Sequence, residues 1–142
     1  MSGSDPGRRA FDVDVVVRSY ELDGFGHLNH AVYLNYFEFA RFDAFTQAGF
    51  PPERLLADGV GIHVVRVEVD YLAEGRLGQH MRISTRLEEM RNTSMTAVQV
   101  AHDPNDPERR FARARVVVVW IGPNGRPTRI PDVVREAVGT GR

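Results

Sequence analysis

Asp23 opens the loop Asp23-Gly24-Phe25-Gly26-His27-Leu28-Asn29-His30. The chain then runs into Ala31-Val32-Tyr33-Leu34-Asn35-Tyr36-Phe37-Glu38-Phe39-Ala40-Arg41, a segment apolar around most of a helical circumference. A carboxylate therefore precedes a helix start by a few residues. The first N–H groups of a helix have no partner within it and carry partial positive charge. Such donors can hold an oxygen that turns negative during a reaction. A carboxylate beside an oxyanion site is a minimal kit for hydrolysing an activated acyl group. The plainer role for Asp23 is a turn aspartate or helix cap, although it lies far from the helix start for a cap.

Other polar residues in the stretch have competing roles. Glu38 and Arg41 stand three apart, the spacing of an ion pair on a helix face. Catalysis or water orientation is the alternative for Glu38. Asp23, His27 and His30 match no standard zinc spacing and have no evident further ligand, so no metal is expected. His27 and Asn29 read as loop residues whose hydrogen bonds orient Asp23, with substrate contact the alternative. His63, within a strand, is either half-buried or a polar group of a pocket. Tyr33, Phe37 and Phe42 are core residues first and candidates to line an acyl site second.

These groups need elements to hold them. Alternation of Val13, Val15 and Val17 with Asp12, Asp14 and Arg18 predicts a strand from Phe11 to Ser19. A polar loop follows, then a helix from about His30 to Ala48. Tyr33, Phe37, Ala40, Ala44 and Ala48 share one helix face. Phe39, Phe42 and Phe45 occupy others, so little of this helix is expected to meet water. Gly49 and Pro51-Pro52 end it, and a short turn is expected over 53–58. Strands are predicted over 60–71, 81–88, 94–102 and 111–121, separated by turns at Gly75 to Gly78, Arg91 to Thr93 and Asp103 to Pro107. Val116 to Trp120 is apolar on both faces, as in an interior strand. Pro131 opens a final helix to about Val138. Strands joined by short turns form an antiparallel sheet. A curved sheet around one apolar helix is an α+β architecture.

Bulk composition narrows the function classes. A chain of 142 residues suits one domain, assigned to 11–138, with tails over 1–10 and 139–142. The net charge of −1 gives no electrostatic case for nucleic acid. No apolar run is long enough to cross a membrane, and the start has no hydrophobic signal core, so a cytoplasmic protein is the default expectation. Without cysteine there is no disulfide, thiolate nucleophile or sulfur-bound metal. All 18 basic side chains are arginine, which excludes a Schiff-base lysine and the lysine of a phosphate loop. The same bias suggests a GC-rich bacterial source.

The element order and the run Asp23-x-x-Gly26-His27-x-Asn29-His30-Ala31-x-Tyr33-Leu34-x-Tyr36-Phe37-Glu38-x-Ala40-Arg41 resemble hot-dog-fold acyl-CoA thioesterases of the 4-hydroxybenzoyl-CoA thioesterase type. The resemblance runs from about Phe11 to Val138. Tyr71-Leu72 with Gly78, Thr93-Ser94, and Arg129-Ile130-Pro131 also fit it. It implies that Asp23 is nucleophile or general base, and that an N–H at about His30 polarises the thioester carbonyl. In another branch of the fold the acid comes from the helix, a placement that Glu38 matches. Two positions depart from the family: His30 replaces a second asparagine, and Ala73 replaces a frequent proline.

The resemblance further implies acyl-CoA as substrate, no cofactor, and a homodimer or dimer of dimers with shared active sites. Candidate contacts to the coenzyme A phosphates are Arg91, Thr93 and Ser94. Arg109, Arg110, Arg113 and Arg115 form a second basic group that also reads as a solvated strand face. An acyl carrier protein thioester, another hot-dog reaction such as enoyl hydration, and a non-catalytic acyl-CoA binding module are the competing functions.

Overall fold

The computed structural model describes residues 9–139. The chain forms β1 (Ala10–Val16), a 3-10 turn (Ser19–Glu21), α1 (His30–Gln47), α2 (Pro52–Ala57), β2 (Gly61–Tyr71), β3 (His80–Met90), β4 (Ser94–Asp103), β5 (Asp106–Ile121) and α3 (Asp132–Gly139). The expected tails fall mostly outside the described residues. Within them, Ala10 pairs with Arg86 and α3 runs through Gly139.

The strands make one antiparallel sheet in the order β1-β3-β4-β5-β2. This is the α+β, hot-dog arrangement that the sequence suggested, with α1 lying against the sheet. β5 is interior, as its double-faced valine run requires. It is also longer than expected, because Asp103 pairs with Asp106 and only Pro104-Asn105 turn the hairpin. β1 is shorter than expected. It stops at Val16, and the 3-10 turn starts the loop at Ser19.

α1 begins where Asn29 caps it, accepting the Ala31 N–H on its side-chain oxygen at 2.8 Å. It ends at Gly49, whose φ of 97° favours glycine. Tyr33, Phe37, Ala40 and Ala44 recur at helical spacing and are buried against Met81, Ile83, Phe111 and Val116 of the sheet. Truncating a side chain as buried as Phe37 to alanine costs about 3–5 kcal/mol. The rest of the helix departs from expectation. Leu34, Phe39 and Phe42 are exposed, Phe39 by 51%. A single sheet covers one side of a helix, and no element of the described residues covers the other.

Arg41 departs as well. It does not pair with Glu38. Its guanidinium turns inward and donates to Gln99 Oε1 at 3.1 Å. Gln99 is fully buried, and its amide donates to the Phe37 carbonyl and to Thr85 Oγ1, each at 2.9 Å. A buried amide with both ends satisfied locks α1 to β3 and β4 without an unpaired polar atom. Desolvation lowers the Arg41 pKa, and the charge of Glu38 opposes that effect.

On the opposite face of the sheet, Arg82 pairs with Asp14 at 2.8 Å and Arg115 with Glu88 at 2.6 Å. These cross-strand pairs join β1 to β3 and β5 to β3. The outer edge of β2 is different. It carries exposed Val64, Val65 and Val67, with Val65 at 61%, and pairs only with β5 on its other side.

Candidate active site

The Asp23 loop is a tight hairpin. Asp23 N–H donates to the His27 carbonyl at 2.7 Å, and Gly26 N–H returns to the Asp23 carbonyl at 3.1 Å. Gly26 has φ 82°, which a residue with a Cβ rarely adopts. Asp23 Oδ1 accepts N–H groups from Phe25 at 2.9 Å and His27 at 3.1 Å. Asp23 is thus a turn aspartate, as one of its two expected roles required. Its Oδ2 has no partner among the described residues. One oxygen anchors the group and the other is open. The N–H bonds from His27 and then Phe25 hold the carboxyl below the usual carboxylate range, so Asp23 is ionised at neutral pH.

The loop leads directly into α1. In the first turn, Ala31 N–H is taken by Asn29 Oδ1 and Val32 N–H by the Asn29 carbonyl. His30 N–H donates to no acceptor among the described residues. It is a donor left over at the positive end of an 18-residue helix. On its other side His30 is fixed, because its carbonyl accepts Tyr71 Oη at 2.8 Å.

Asp23, His27, His30 and Tyr33 line one open cleft of about 360 Å³. The opposite wall is Tyr71, Leu72, Ala73, Glu74 and Gly75, the segment that leaves β2. Gly75 must be small, since a Cβ there would lie 2.6 Å from Met81 Cε and 3.1 Å from Leu28 Cβ. Leu28 N–H donates to the Gly75 carbonyl at 2.8 Å, which joins the two walls at the base. His27 Nε2 reaches Glu74 Oε2 at 3.1 Å across the cleft. Tyr33 Oη is buried with no hydrogen-bond partner, and burial pushes its pKa up to about 12. It therefore stays protonated under any ordinary condition.

The other sequence candidates lie elsewhere. Asn29 serves as the cap of α1. Glu38 lines a separate small cavity with Arg41, Phe42, Phe45, Ile62 and Val64. His63 is near the start of β2, whereas Tyr71 of the cleft ends that strand. Arg91, Thr93 and Ser94 form the β3–β4 turn, where Arg91 N–H donates to the Ser94 carbonyl at 2.8 Å and Arg91 pairs with Glu89. The cleft lies at the His80 end of β3. Tyr71 pairs with Ala112 and Ser94 with Val119 on β5, so at ~3.3 Å per residue these two sites lie roughly 23 Å apart along the strands. The wall from Leu72 to Glu74 was not singled out by residue type. Tyr71, Leu72 and Ala73 entered only through the family resemblance, and Gly75 as a turn glycine.

A family profile described as the Thioesterase-like superfamily matches residues 17–138, which include the Asp23 loop, α1 and every strand of the sheet except β1. The chain belongs to that superfamily. This thioesterase-like chain is 30% identical over 121 residues to the acyl-CoA thioester hydrolase YbgC of Escherichia coli, covering 83% of the chain and 89% of YbgC. It is 29% identical over 134 residues to the chloroplastic acyl-acyl carrier protein thioesterase ATL2 of Arabidopsis thaliana. That match takes in 90% of the chain and 68% of the plant protein. Its fold superimposes on Slr0204, a 1,4-dihydroxy-2-naphthoyl-CoA thioesterase from Synechocystis, with a TM-score of 0.82 at 15% identity. That match covers 91% of this chain and 95% of the other. The protein is a thioester hydrolase with the hot-dog fold.

Proposed function

We propose that this thioesterase hydrolyses acyl-CoA to a free acid and coenzyme A at the Asp23 cleft. The observation that carries the reading is the shared cleft of an ionised Asp23 and an unpaired His30 N–H. YbgC, whose name states acyl-CoA as its substrate, supports the choice of coenzyme A. The thioester carbonyl oxygen accepts from His30 N–H, which concentrates positive charge at the carbonyl carbon. Asp23 Oδ2 then acts in one of two ways. It takes a proton from water as the water oxygen attacks the carbon, or it attacks the carbon itself and forms an anhydride that water opens. In both, the oxyanion collapses and the carbon–sulfur bond breaks. The sulfur leaves as thiolate and collects the proton released from water. His27 and Tyr33 are wall residues that hold the acyl end of the substrate.

The test is kinetic. Asp23→Asn is expected to lower kcat by about 10²-fold or more. Glu38→Gln is expected to change it less than about 3-fold, because Glu38 lines a different cavity. The reverse pattern would move the acid to α1 and sink the assignment.

A carrier-protein substrate is the second reading, favoured by the resemblance to ATL2. The same acyl group on coenzyme A and on a carrier protein separates the two through kcat/KM.

The protein is read as a homodimer that pairs through the outer edge of β2, where unpaired backbone and exposed Val65 lie together. Arg91, Thr93 and Ser94 stand toward the opposite end of the sheet from the cleft of their own chain. In this reading they meet the nucleotide of a substrate held by a second copy.

A further inference from the structure

Glu21 is the buried carboxylate that the proposed chemistry does not use. It lies two residues before Asp23 and is 7% exposed. Its Oε1 accepts Tyr36 Oη from α1 at 2.7 Å and the Arg18 N–H at 2.9 Å. Its Oε2 accepts the Arg18 guanidinium at 3.2 Å. Its main-chain carbonyl accepts Asn29 N–H at 2.9 Å, and Asn29 is the cap that directly precedes His30. One residue therefore grips both ends of the loop that carries Asp23, and it bolts that loop to α1 nearly two turns beyond the helix start. These bonds outweigh the cost of burial and keep the carboxyl below its usual range, so the acceptor is charged.

We infer that Glu21 is a positioning residue, which through Tyr36 and Asn29 sets where Asp23 stands relative to the His30 N–H. The inference rests on the reading of Asp23 as the reacting acid. It concerns geometry, however, so part of its test does not need turnover. A carboxylate alone meets the donor set. Glutamine at this position turns an NH2 group toward either the Arg18 main-chain N–H or the Arg18 guanidinium, donor against donor in both cases. Aspartate is one methylene short of α1. Phenylalanine in place of Tyr36 removes the same bond from the helix side and leaves Glu21 its Arg18 contacts.

Glu21→Gln and Tyr36→Phe are to be compared with the native chain by 13C NMR titration of the Asp23 carboxyl and by steady-state kinetics. The dispersed spectrum of each variant reports its fold. The expected result is that the Asp23 titration moves up toward the ordinary aspartate value in both variants, because the Phe25 and His27 N–H bonds loosen. With acyl-CoA, kcat falls about 10-fold to 100-fold while KM stays within about 2-fold. Tyr36→Phe retains the charge of Glu21 and covers the case in which Glu21→Gln fails to fold. An Asp23 titration that stays at its native position in a folded variant overturns the inference, whatever the turnover. A shifted titration with unchanged kcat leaves Glu21 as the anchor of the loop and removes Asp23 as the acid, which separates failure of the chemical reading from failure of this one.

Discussion

Tyr71, the last residue of β2, donates its hydroxyl to the carbonyl of His30, the first residue of α1, at 2.8 Å. Tyr71 thus ties the far wall of the cleft to the residue whose N–H is left unpaired at the start of α1. The His30 and Tyr71 rings also meet edge-on, with centroids 6.3 Å apart. Tyr71→Phe keeps the ring contact and deletes the bond. It is expected to cost about 0.5–1.5 kcal/mol in urea unfolding. A few-fold drop in kcat/KM should accompany it. Loss of stability with kcat/KM unaltered would show that the tie does not bear on the site.

The pH dependence follows from the direction of the Asp23 shift. Its folded pKa is depressed by the His27 and Phe25 N–H bonds. The ionised form therefore persists as pH falls, and is lost only on passing through the depressed value. The acid limb of kcat/KM is expected below about pH 3.9, the ordinary aspartate midpoint. The same sign applies to stability. Glu21 and Asp23 contribute above their unfolded values, and the contribution disappears as pH drops through the folded ones. A kcat/KM profile collected with circular dichroism at each pH tests this. A limb near pH 6 in folded protein would point to a different acid or base.

Two glycines of the Asp23 turn separate strain from space. Neither Gly24 nor Gly26 has an atom within 4 Å of a built Cβ, yet Gly26 alone has a positive φ. Gly26→Ala is expected to cost about 1–2 kcal/mol from backbone strain. Gly24→Ala should stay within about 0.5 kcal/mol. Thermal unfolding of the pair is the measurement, and equal effects would contradict the turn geometry.

The homodimer reading predicts that sedimentation equilibrium finds two chains for the native protein. Val65→Arg, a charge at an exposed edge position, should shift it to one chain without changing the circular dichroism spectrum. A native monomer, or an unaffected dimer, would count against β2 as the contact.

The local features were legible because each depends on neighbours in sequence. Gly49 stops α1 through its φ, and the valines of β5 mark an interior strand by type alone, whereas Asn29, read as a loop or substrate residue, caps α1. Asp23 stood out because glycine, aspartate and a following apolar helix lie within twenty residues. Glu21 gave no such signal. It looks like one more polar loop residue until β1, the 3-10 turn and α1 converge on it. Exposed Phe39 and Phe42 were misread for a related reason. Apolar type predicts burial, but the amount available is set by how far one sheet wraps. Arg41 took Gln99 rather than Glu38 because its partner lies 58 residues away, where no helical spacing applies.

The two sides of the cleft are built on different terms. The Asp23 turn takes its shape from bonds among Asp23, Phe25, Gly26 and His27, and Glu21 holds both ends of the loop that contains it. The stretch from Leu72 to Glu74 sits opposite, exposed and outside any regular element. Substitutions there can reshape one wall of the cleft while the Asp23 carboxyl stays where it is. One bank of the cleft is thus free to vary while the other keeps its shape.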